Sequence, residues 1–134
     1  MPSREVLVVD DSKVMREMII ACLRGEDRLG FSQAASGLEA IEQLSLRAFD
    51  LVVLDLNMPD IGGVEVVEFI RGQDKLRRLP ILIVTTRGDE ASQERVLAAG
   101  ASRFMTKPFT PEKILGEVRG LLAVGAESSG RPRS

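Results

Sequence analysis

Several polar residues stand directly after apolar stretches of this 134-residue chain. Asp10 and Asp11 follow Val6–Val9, Asp55 follows Leu51–Leu54, Thr85 follows Ile81–Val84, and Lys107 follows the short run Ser102–Thr106. Taken singly, each has an ordinary explanation. An Asp after a strand commonly turns or caps the chain, and a Lys before Pro or a Thr after a strand is commonly a loop residue. Brought together they would do chemistry. Three carboxylates about 5 Å apart repel by roughly 3 kcal/mol per pair at an effective dielectric near 20. A hard divalent cation removes that repulsion, and oxygen ligands with room for several waters suit Mg2+, with Mn2+ as a substitute. Lys107 is a point charge suited to one phosphate oxygen, and the Thr85 hydroxyl can donate to another. The set therefore suits a phosphoryl group held between a cation and Lys107, with an Asp oxygen as the attacking atom.

Composition narrows the chemistry. The chain contains no histidine, which excludes Ser-His-Asp catalysis, Cys-His catalysis and His-ligated zinc within it. If histidine takes part in phosphoryl transfer here, a partner must supply it. The single cysteine, Cys22, excludes an intramolecular disulfide and a cysteine-built metal site, and reads as a small buried hydrophobe. A net charge of −2 gives no broad attraction to nucleic acid or to an anionic membrane. The segment Met1–Glu5 does not open a basic, then apolar, leader, and no apolar run approaches the roughly 18 residues of a membrane helix. The expectation is a cytoplasmic protein that neither inserts in membranes nor binds nucleic acid.

The elements that must position these residues follow from the apolar pattern. Val6–Val9, Leu51–Leu54 and Ile81–Val84 are continuous apolar runs rich in β-branched residues, the mark of strands buried on both faces. Phe31–Ala35 is a weaker strand and Ser102–Thr106 a short last one. Helices alternate with them. One runs from the N-cap Ser12 to about Arg24, with Val14, Met18 and Cys22 at four-residue spacing and Met15, Ile19 and Leu23 beside them. The next opens at Ser36-Gly37 with Leu38, Ile41 and Leu44 on its apolar face. A third ends near Arg71, a fourth spans about Glu90–Ala99, and a last opens at Thr110-Pro111. Alternation of this kind predicts an α/β protein with a doubly wound, five-stranded parallel sheet. With strand order 2-1-3-4-5, a flavodoxin-like arrangement, Asp55 has the acid pair on one side and Thr85 and Lys107 on the other, at the edge where ligands bind such sheets. Residues 1–123 read as one domain, and the Gly, Ser, Pro and Arg of 124–134 as a disordered tail.

Together the segments Val6-Leu7-Val8-Val9-Asp10-Asp11-Ser12, Ala35-Ser36-Gly37-Leu38-Glu39-Ala40, Asp50–Pro59, Ile83-Val84-Thr85, Gly100-Ala101 and Lys107-Pro108-Phe109 closely resemble the receiver domain of bacterial two-component response regulators, over about residues 4–123. The resemblance implies that Asp55 accepts a phosphoryl group from a phosphohistidine on a sensor histidine kinase. It implies that Asp10, Asp11, Asp55 and the backbone carbonyl of Asn57 hold Mg2+, that Thr85 and Phe104 form a switch, that Lys107 contacts the phosphoryl group, and that the Lys107–Pro108 bond is cis. A changed surface over residues 89–122, including Glu94, Arg95, Arg103, Glu117 and Arg119, would then meet a downstream target protein. Self-phosphorylation from small donors and self-dephosphorylation are expected, without a conventional enzyme activity. Asn57, Thr86 and Arg87 flank the expected water path. Many receivers carry a smaller residue where Thr86 stands, so slow hydrolysis is expected. Gly62 replaces a common acidic residue with no obvious consequence.

The leading expectation is a stand-alone regulator, as in chemotaxis, monomeric or dimerising on phosphorylation. The alternatives are a phosphorelay carrier, a piece of a larger regulator, and a degenerate receiver that binds without phosphorylation. An aspartate-nucleophile phosphatase fits poorly because its nucleophile would follow the first strand as Asp-x-Asp. A flavin binder fits poorly because Asp10-Asp11 would repel the flavin phosphate.

Overall fold

The computed structural model describes residues 4–86 and 88–128, with 124–128 as backbone only. Its strands are β1 (Arg4–Val9), β2 (Leu29–Ala34), β3 (Leu51–Leu54), β4 (Ile81–Thr85) and β5 (Arg103–Thr106). Its helices are α1 (Lys13–Leu23), α2 (Gly37–Leu46), α3 (Gly63–Gly72), α4 (Glu90–Ala99) and α5 (Pro111–Ser128), with a short 3-10 turn at Asp74–Leu76. The strands pair in parallel, as the alternating pattern predicts, and in the expected order β2-β1-β3-β4-β5. The expected α/β fold is therefore the observed one.

Both faces of the sheet are covered, which is why the central strands are apolar at every position. Leu7, Val9, Val52, Leu54, Ile81 and Ile83 point to α2, α3 and α4. Val6, Val8, Leu51, Val53, Leu82 and Val84 point to α1 and α5. The helices start where their caps dictate. Ser12, Ser36 and Asp89 accept hydrogen bonds from the N–H groups of Met15, Glu39 and Ser92 at 3.2, 3.1 and 3.0 Å. Thr110 does the same for Lys113 at 3.1 Å.

Several expectations change in detail. β1 starts two residues earlier than the apolar run, and β2 covers Leu29–Ala34 in place of Phe31–Ala35. On α1 the buried residues are Ile19, Ile20 and Leu23, whereas Val14 and Met18 are 69% and 47% exposed. Leu38 of α2 is 58% exposed, and Ala40 and Leu44 take the buried positions. Val14, Met18 and Leu38 lie in the first two turns of their helices, and Leu46, which ends α2, is 76% exposed. Cys22 is half-buried; burial first, then the nearby Glu112, pushes its thiol pKa up. α5 runs on to Ser128, into the stretch read as a tail, and 129–134 lie outside the described residues.

Candidate functional site

The sheet register itself assembles the site. Val9 pairs with Leu54, so the residues that follow them, Asp10 and Asp55, emerge side by side. The Asp55 N–H donates to the Val9 carbonyl at 3.0 Å, and the Asp10 N–H to the Ala34 carbonyl at 3.1 Å. On the other flank Thr85 pairs with Thr106, and the Lys107 N–H donates to the Thr85 carbonyl at 2.9 Å. Main-chain bonds thus fix where Asp10, Asp55, Thr85 and Lys107 start. Lys107–Pro108 is cis, as the resemblance implies.

The side chains converge from these anchors. Carboxylate oxygens of Asp10, Asp11 and Asp55 all lie within 4.8 Å of one another. At an effective dielectric of 20 each pair at that separation repels by about 3.5 kcal/mol. The Lys107 ammonium partly offsets this, donating to Asp10 Oδ2 at 2.7 Å and lying 3.8 Å from Asp55 Oδ1. Asp10 Oδ1 accepts from the Ser12 N–H at 2.9 Å. Asp10, Asp55 and Thr85 are buried and Asp11 is exposed, so the cluster opens to solvent on the Asp11 side.

Asp55 is the outlier among them. Its Oδ1 is buried with no hydrogen-bond partner among the described residues. Burial pushes its carboxyl pKa up first; Lys107 opposes that, Asp10 adds to it, and bonds from the Thr85 hydroxyl and the Asn57 N–H oppose it. A buried carboxylate oxygen without a donor is unusual and asks for a ligand. An all-oxygen donor set with an unbonded buried lone pair and excess negative charge fits a hard cation such as Mg2+.

These features decide the family. A family model for the response regulator receiver domain matches residues 6–119. The chain belongs to the response regulator receiver family. Over 112 residues it is 38% identical to the chemotaxis protein CheY1 of Helicobacter pylori, covering 81% of this chain and 88% of that one. Over 126 residues it is 35% identical to the chemotaxis protein CheY homolog of Campylobacter jejuni, covering 91% and 95%. Among solved structures, the chemotaxis response regulator CheY4 of Vibrio cholerae superposes with a TM-score of 0.81 at 33% identity, covering 88% of this chain and 98% of that one. Two-component signalling and a general phosphoacceptor role come with this membership.

Placement of the remaining receiver residues is mixed. Phe104 is half-buried on β5 and packs on the α2, α3 and α4 side, while its neighbour Met105 points to the α1 and α5 side. Asn57 and Thr86 are exposed beside Asp55 and Thr85, and Arg87 lies outside the described residues. Three of the five charges expected on the 89–122 face are paired: Arg103 meets Glu117 at 2.8 Å, and Arg119 meets Glu26 at 2.8 Å. No described helix is long and apolar enough to cross a membrane.

Sequence reasoning passed over two side chains at this edge. Asp60 accepts from the N–H groups of Gly37 and Leu38 at 3.1 and 3.0 Å, tying the loop after β3 to the start of α2. Arg16 donates to the Asp10 carbonyl at 2.6 Å. Its position one turn past the Ser12 cap is the only sequence hint, since a long side chain there points back to the strand end.

Proposed function

We propose that this chain is a single-domain response regulator, its receiver spanning residues 1–123, in which Asp55 accepts a phosphoryl group from a sensor kinase's phosphohistidine. The observation that carries the reading is the buried, unbonded Asp55 Oδ1 facing Lys107 within the acid cluster. Asp55 Oδ1 attacks phosphorus, the phosphorus–nitrogen bond to the donor imidazole breaks, and its electron pair leaves with that nitrogen. Lys107 turns from Asp10 toward the phosphoryl oxygens, and the Thr85 hydroxyl donates to another. Asp10, Asp11, Asp55 and the Asn57 carbonyl would hold Mg2+, which supplies charge neutralisation for the acids and the phosphoryl oxygens when bound.

The output follows from what the new group attracts. A phosphoryl on Asp55 adds charge and acceptor oxygens, so Thr85 gains by moving inward and Phe104 can fill the space it leaves. That motion alters the 89–122 face, where Phe104, Thr106, Phe109, Gln93 and Lys113 line a groove of about 540 Å3 suited to a target protein. The chemotaxis relatives favour this signalling role over phosphorelay, and a cytoplasmic setting suits it.

The test is incubation of the purified chain with acetyl phosphate and Mg2+, read by intact mass. A phosphoryl adduct should form, need Mg2+ and vanish in Asp55→Asn. An unchanged mass under conditions that label another receiver overturns the reading. Transfer of the label to a histidine-bearing acceptor protein in place of target binding would make the chain a relay carrier.

A further inference from the structure

The site reaches beyond the residues that would touch metal or phosphoryl. Where β1 ends, the Asp10 carbonyl accepts from no backbone N–H among the described residues. The half-buried Arg16 guanidinium takes that role, Nη1 donating to the Asp10 carbonyl at 2.6 Å. The same guanidinium is fixed from its other side, with Nε donating to Gln33 Oε1 at 2.9 Å. Gln33 is itself held on the edge strand, its carbonyl accepting from Gln43 Nε2 of α2 at 2.7 Å. A rigid fork with donors on two edges is what Arg offers and Lys does not.

We propose that Arg16, braced by Gln33, is a positioning residue that sets the Asp10–Asp11 peptide plane and so the aim of Asp11 toward the cation. The proposal rests on the receiver reading above. Rotation of that peptide moves Asp11 directly, because Asp11 is exposed and its side chain makes no hydrogen bond among the described residues. The side chain of Asp10 is fixed independently by Ser12 and Lys107, so Arg16 acts on the main chain and not on the carboxylate.

The test is Mg2+ affinity of the full chain by calorimetric titration, set against urea unfolding in chelator. Partners outside the ligand shell are commonly worth about 10- to 100-fold in metal affinity. Arg16→Gln should weaken Mg2+ binding about tenfold, Arg16→Lys should not restore it fully, and Gln33→Met should weaken it less. In the Arg16→Gln background, Gln33→Met should have no further effect, because the brace then has nothing to hold. Parent-like affinity, within twofold, in folded Arg16→Gln overturns the proposal, as does an affinity loss that merely tracks the urea midpoint. Should Arg16→Gln fail to fold, Gln33→Met decides alone: parent-like affinity overturns the proposal. If the parent chain itself neither binds Mg2+ nor forms the acetyl phosphate adduct, the receiver reading falls and this proposal with it. A parent that does both while the variants match it removes only the proposal.

Discussion

Replacing Asp55 by Asn should make the metal-free protein more stable, although it destroys the phosphoryl acceptor. Asp55 is 5% exposed. Its attraction to Lys107 across 3.8 Å is about 4 kcal/mol at an effective dielectric of 20. Its repulsion from Asp10, with oxygens within 4.8 Å, is about 3.5 kcal/mol on the same basis. These nearly cancel, and repulsion from the exposed Asp11 is screened by solvent, which leaves burial of the charge as the deciding effect; burial is also the leading cause of the raised pKa. Effective burial penalties run to several kcal/mol per ion, and the bonds from Thr85 and Asn57 return part of that. A net gain of about 1–2 kcal/mol remains, which for a domain of this size raises Tm by roughly 4–8 °C.

The assay is thermal unfolding of parent and Asp55→Asn at pH 7 in EDTA, then in excess Mg2+. The variant should melt higher in EDTA, and the gap should shrink in Mg2+ because the parent gains more from the metal. The sign with pH follows from the raised carboxyl. Ionised Asp55 opposes folding above its folded pKa, and that opposition fades as pH falls through the folded value toward 3.8. The gap in EDTA should therefore narrow on acidification. A variant that melts at or below the parent in EDTA at pH 7 refutes the argument.

The neighbouring residues give sharper local tests. Asp60 has its pKa lowered to about 2, first by the Leu38 N–H, so its contribution to stability is full above 3.8 and lost as pH falls from there to about 2. Asp60→Asn should therefore flatten the acid limb of urea midpoints between pH 4 and pH 2, and an unchanged limb removes the loop-to-α2 tie from the account. Lys107→Met should bind Mg2+ more tightly by titration, since the ammonium no longer holds Asp10 Oδ2, yet form the acetyl phosphate adduct far more slowly; weaker Mg2+ binding would contradict the competition. Gly63→Ala puts a Cβ 2.8 Å from both the Asp55 carbonyl and the Leu56 Cα, so it should destabilise by about 1–3 kcal/mol in urea and loosen metal binding as well. Thr86→Ala should speed decay of the Asp55 adduct, and an unchanged half-life dismisses Thr86 as a gate.

How legible all this is in the sequence depends on what carries each signal. The strand ends were plain because β1, β3 and β4 are buried on both faces, so a carboxylate or hydroxyl after four apolar residues stands out. Alternation predicts the parallel sheet; the meeting of Asp10, Asp55, Thr85 and Lys107 needs in addition the strand order 2-1-3-4-5, which alternation alone does not select. The helix faces were less legible. Val14, Met18 and Leu38 fit helical spacing yet are exposed, because Ile19 and Leu23, and Ala40 and Leu44, meet the same spacing on the faces that enter the core. Arg16 and Asp60 were hidden for another reason: each acts on a main-chain group, the Asp10 carbonyl or the Gly37 and Leu38 N–H groups, and such groups leave no residue-type pattern.

The bond from the Lys107 N–H to the Thr85 carbonyl has an evolutionary consequence. It continues the ladder one residue past β5, so any sequence that keeps β4 and β5 in register starts residues 85 and 107 from the same main-chain separation, whatever α4 becomes. Lineages are then free to rewrite the helix that partners read, trading one listener for another, while the chemistry underneath is inherited unaltered.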